Sequence, residues 1–168
     1  MSHAKNKVEW CLRKAKKELK ESDTHRGLVK AKPSIEAAES HIAKAEHYLK
    51  ATAYLKKGDF SDISASTSFY AMYHSLLAIA VKVGYESRNQ ECTFALMHAL
   101  IEDKKIDFEK EIMDRITALD PDKTQDKTSV KLREQFQYGT GLSMDDNIYK
   151  ELFELAKEVI EKAKVIIK

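Results

Sequence analysis

Proline and glycine are scarce, with two Pro and five Gly in 168 residues. So little turn chemistry excludes a sheet protein built from many short strands. Cysteine is scarcer than in any disulfide scaffold. Cys11 and Cys92 form no Cys-x-x-Cys pair and have no His at metal-ligand spacing. They read as reduced small hydrophobes of a cytoplasmic protein, with no disulfide framework and no metal site. The N-terminus MSHAKNKVEW has no apolar core of a signal peptide. No run approaches the roughly 18 apolar residues of a membrane span. There is also no GxGxxG, P-loop or HExxH. Asp120, Asp122 and Asp126 share one loop but lack the Gly and terminal Glu of an EF-hand. No cofactor is expected.

What is present is 43% hydrophobic and 33% charged residues, a folded composition. The length suits one domain, 1–168, able to bury roughly 70% of its unfolded surface. Net charge is only +2, but it is uneven. Residues 1–32 hold ten Lys and Arg against four Asp and Glu. Such an arm suggests an anionic partner, although a solvated helix face has the same composition.

Helical periodicity runs through the chain. The first helix is expected over 5–22, with Val8, Leu12, Ala15 and Leu19 on one stripe. Arg13, Lys16, Lys17 and Lys20 lie on another face, as candidate contacts to RNA phosphates. Pro33 suits the first turn of a second helix, which runs to about Lys57 and stops at Gly58. A third helix, about 61–83, could be capped by Asp59 or Ser61. It starts small and polar and becomes apolar almost all round, as a central helix must. Further helices are expected at 88–103, 107–119 and 129–138, the last preceded by a polar loop, 120–128. A long amphipathic helix, 145–168, closes the chain. The fold class is therefore all-α: an antiparallel bundle of four to five core helices over 33–168, plus the basic N-terminal helix and loop of 1–32. His41 and His47, six apart, have poor ligand spacing and read as solvated.

The stretch ISASTSFYAMYHSLLAIAVKVGYESRNQECT (63–93) resembles the HEPN superfamily, in particular its small prokaryotic members. The likeness rests on Phe69-Tyr70-Ala71-Met72-Tyr73, then Gly84-Tyr85, then Gln90-Glu91-Cys92-Thr93, and extends over about 33–168. It implies a helical bundle that forms a homodimer. It also implies a partner of the minimal nucleotidyltransferase kind in a toxin–antitoxin pair, or binding of RNA or a nucleotide. Tyr70, Tyr73, His74 and Leu77 would then serve the dimer interface or the core. Arg88, Asn89 and Gln90 open the fourth helix, where free N–H groups and an Arg favour an anion or nucleotide. Plain capping would use the same residues.

Active members of that superfamily are metal-independent RNases with an Arg, four to six residues, then a His. A base near neutral pKa takes the ribose 2′-OH proton and the Arg stabilises phosphate charge. Here KLREQFQYG (131–139) offers Arg133 and, after four intervening residues, Tyr138. A second register puts Lys131 and Phe136 in those places. Neither supplies an imidazole, and a Tyr with pKa near about 10 is a poor base at neutral pH. Three functions follow: a degenerate, non-catalytic HEPN-like interaction protein, an RNA-cleaving toxin with an altered site, or a helical scaffold without a nucleic-acid role. The missing His favours the first. The unmodified protein should barely cleave a fluorescent single-stranded RNA. Tyr138→His should raise cleavage, by up to the order of 10²–10⁴ that a positioned base contributes, and Arg133→Ala should abolish the gain. Efficient cleavage by the unmodified protein, lost in Arg133→Ala, would replace this reading with the altered RNase.

Overall fold

Serine, asparagine and aspartate side chains mark where the helices start. Ser2, Ser34, Asn89 and Asp145 each accept a backbone N–H two or three residues ahead, satisfying donors the helix itself leaves open. The computed structural model describes residues 1–119 and 139–168. Six helices occur among them: α1 (His3–Glu21), α2 (Ile35–Lys57), α3 (Ser64–Lys82), α4 (Gln90–Glu102), α5 (Lys110–Ala118) and α6 (Asp146–Ile167). The expected loop 120–128, the helix 129–138 and the pair Arg133 and Tyr138 lie outside the described residues.

The all-α expectation holds, and α3 is the central helix, packed against α2, α4 and α6. Met72, Leu76 and Ile79 are wholly buried. Ser64, Ser68, Ala71, Ser75 and Ala78 recur about one turn apart along α3 and are buried too. Such small side chains let a neighbouring backbone come close. α2 runs antiparallel to α3, and α6 antiparallel to α2, with Lys164 on Glu46 at one end and Lys56 on Asp146 at the other. No helix among the described residues is long and apolar enough to cross a membrane.

Three details differ from the sequence expectation. First, α3 begins at Ser64, and neither Asp59 nor Ser61 caps it. Asp59 takes a positive φ of 64° after Gly58, and Ser61 Oγ accepts the Met144 N–H at 2.9 Å. Ser61 therefore ties down the segment leading into α6. Second, a small antiparallel ribbon joins β1 (Leu28–Lys30) to β2 (Tyr85–Ser87), with Val29 opposite Glu86. Gly84 turns into β2 at φ +85°, and a Cβ there would lie 3.0 Å from the Ala31 oxygen. Three-residue strands are too short to show alternation in a sequence.

Third, the cysteines are not reduced. Cys11 and Cys92 form a disulfide, with Cα atoms 5.9 Å apart and both residues fully buried. The bond fixes α1 antiparallel to α4. Ser2 with Glu102, Lys5 with Asp103 and Lys7 with Glu91 add polar contacts. α1 fully buries only Ala4, Cys11 and Ala15, with Val8 and Leu12 partly buried against the core, so its apolar anchorage is modest and the covalent link adds to it. The bond closes a sequence separation of 81. Loop closure of that length restricts the unfolded chain by about 4.5 kcal/mol in the chain-entropy model, and typical bonds contribute about 2–4 kcal/mol. Reduction, or Cys11→Ala with Cys92→Ala, should lower unfolding free energy in urea by about 2–4 kcal/mol. An unchanged midpoint after reduction would show that packing alone holds α1.

Candidate functional site

Because α2 and α3 run antiparallel through a short turn, each step forward on one meets a step back on the other. Thr52 Oγ1 lies 2.8 Å from Thr67 Oγ1. Further along, the Tyr48 ring stacks on both Tyr70 and His74, with centroids 5.5 Å away in each case. At the end of this ladder His41 Nδ1 lies 3.2 Å from His74 Nδ1. The Lys44 ammonium sits 5.3 Å from the centre of the Tyr48 ring. Together these residues form a partly open aromatic and imidazole face.

The histidine pair has defined chemistry. Two Nδ1 atoms in hydrogen-bond contact need one proton between them, so one ring donates and the other accepts. Burial pushes the His41 pKa down. Burial first, then the neighbouring His41 and Lys44, brings His74 down to about 4. Both rings are therefore neutral at pH 7. The donating ring keeps a lone pair at Nε2, and the accepting ring carries its proton there. His41 was expected to be solvated, and its contact with His74 corrects that reading. Among the described residues no group of three or more His, Cys, Asp or Glu could hold a metal ion.

The residues assigned to dimer or core separate by depth. Leu77 is buried, whereas Tyr73 is half-buried and shares a hydrogen bond with Thr93 Oγ1 at 3.2 Å. His74 is half-buried and Tyr70 is 36% exposed, so both reach the outer face. Arg88, Asn89 and Gln90 have local roles. Arg88 Nε donates to Glu86 at 2.9 Å, and its backbone N–H donates to the Gly27 oxygen. Asn89 Oδ1 accepts the Cys92 N–H and caps α4. Gln90 Oε1 is buried without a hydrogen-bond partner among the described residues. The Arg88 charge is thus already balanced by a carboxylate.

On α1, Arg13, Lys16, Lys17 and Lys20 are all exposed, as expected. Arg13 lies 3.6 Å from Glu9, while no carboxylate pairs with the three lysines among the described residues. Trp10, 43% exposed, sits beneath the Lys7 ammonium at 4.2 Å and beside that of Lys14 at 5.3 Å.

Sequence reasoning missed His41, Lys44 and Tyr48. Their signal was a shared face of the second helix, spaced three and seven residues apart, opposite the Tyr70–His74 turn of an antiparallel partner. The depressed histidine pKa values set a pH dependence. Folding keeps these rings neutral, so their contribution is complete above about pH 6.5, the unfolded value. It is lost as pH falls towards about 4, the folded value of His74. Allowing for the half-exposed rings, the loss should be on the order of 1–2 kcal/mol. Urea unfolding at pH 7.5 and pH 5 should show it, and His74→Phe should flatten the difference. An equal slope in the variant would assign the pH dependence to other groups.

A comparison with curated proteins gives no match. The HEPN domain family matches residues 38–166, from within α2 to the last turn of α6. That interval contains α3, the histidine pair and the aromatic ladder, with α1 and the β1 strand preceding it. With most of its length matched and the helical bundle in place, the chain belongs to the HEPN domain family.

Proposed function

We propose that this protein is a homodimeric HEPN interaction protein that binds RNA or a nucleotide and pairs with a minimal nucleotidyltransferase, without cutting RNA by the usual route. A HEPN domain supports a nucleic-acid or interaction role at the family level. The observation that carries the dimer is the α2–α3 face. There Tyr48, Tyr70 and His74 are stacked and only partly covered by the described residues. Ordered aromatic rings lose little conformational entropy on docking, which suits them to an interface centre. Self-association would place this patch against its copy about a two-fold axis.

The lack of RNase chemistry rests on Tyr138 standing where the base would be. RNA contact rests on the Arg13 and Lys17 flank of α1, next to the exposed Trp10 ring, since bases stack on aromatic faces and phosphates seek cations. Light scattering on a sizing column at tens of micromolar should give about twice the 19.2 kDa chain mass. Tyr70→Glu should shift it towards monomer, because a carboxylate would be desolvated at the interface. A clean monomer for the unmodified protein would overturn the dimer.

A further inference from the structure

The basic face of α1 is two surfaces. Arg13 and Lys17 flank Trp10 and border a shallow hollow with Lys14, Glu18 and Glu21. On the other side, α1 and β1 border a second, wide-open groove of about 570 Å³. Leu12, Leu19 and Val29 contribute aliphatic surface to it, and Lys16, Lys20 and Lys30 surround it. Leu19 is 45% exposed, an aliphatic side chain left in water at a groove wall. All three lysines are exposed, and none has a carboxylate partner among the described residues. The groove precedes residue 38, so it lies wholly outside the matched HEPN domain.

We propose that this α1–β1 groove docks an acidic, aliphatic-anchored helical segment of a protein partner. Three uncompensated cations around an aliphatic floor call for a ligand with carboxylates at its edges and Leu-like side chains between them. Single-stranded RNA fits less well here, because its bases need aromatic platforms and this groove has none. The one exposed ring nearby, Trp10, faces the other hollow. Gly27 fixes the groove's geometry. A Cβ there would come within 2.6 Å of the Cys11 oxygen, so only glycine lets the chain entering β1 lie so close to α1. The disulfide one turn before Ala15 holds the helix side of the groove to the body.

The probe is a fluorescein-labelled, 16-residue helical peptide with Glu on its outer positions and Leu at i, i+4 and i+7. A control peptide of equal charge carries Ser in place of Leu. Fluorescence anisotropy should report micromolar binding of the Leu peptide, at least about tenfold weaker with the Ser control. Lys16→Glu with Lys20→Glu and Lys30→Glu should weaken the Leu peptide at least about tenfold as well. Leu19→Ser, which leaves every lysine in place, should reproduce part of that loss. All four positions are exposed or at the groove edge, so circular dichroism should show folded variants. Three results would overturn the proposal: no binding of the Leu peptide at 100 micromolar, on the order of the weakest specific contacts; equal binding of the Ser control, which would mean charge attraction alone; or tighter binding of single-stranded RNA with the same lysine dependence. The dimer reading stands or falls separately, on light scattering.

Discussion

The close approach of α2 to α3 is the contact on which the rest of the molecule depends. Buried Ser64, Ser68, Ala71, Ser75 and Ala78 give α3 a nearly flat stripe, so neighbours pack against its backbone and not against long side chains. The pairs Thr52 with Thr67, Tyr48 with Tyr70 and His41 with His74 then mark one unbroken antiparallel register. A larger residue on the stripe would spread the helices and separate every rung together. The outward face of Tyr48, Tyr70 and His74 therefore owes its order to the small buried side chains behind it.

The helices are legible because apolar spacing and capping residues agree along the chain. Ser34, Gly58, Asn89 and Asp145 each stand at the predicted boundary or within a few residues of it. The central role of α3 is legible for the same reason, since its apolar surface extends round most of the helix. The HEPN likeness seen in residues 63–93 matches the family found over 38–166. What sequence does not display is pairing across long separations. His41 sits beside Glu39 and Ser40 and looks like a surface residue until α3 brings His74 to it. Cys11 and Cys92 carry no local signal of each other, because their meeting is set by how α1 lies on α4.

Charge was legible as an amount but not as an arrangement. The lysine-rich composition of α1 is visible at once. Which lysines accompany an aromatic ring and which surround aliphatic side chains depends on β1 lying alongside the helix. The strand is three residues long and exists through its pairing with β2, far along the chain. Lys30 joins Lys16 and Lys20 because β1 packs directly on α1.

The covalent topology has a consequence for how the parts are tied together. The Cys11–Cys92 bond turns the chain into a closed ring with two tails. The ring's contour runs through α2, α3 and both strands of the ribbon, together with the turn at Gly58. A break in the backbone anywhere along that ring would leave a single molecule, still joined through sulfur. α6 lies on the outer tail, and its hold on α2 and α3 is wholly non-covalent: buried Leu155, Val159 and Ile160, with ion pairs at both ends. The bundle thus joins a segment whose two ends are pinned together to a helix whose packing no cross-link secures.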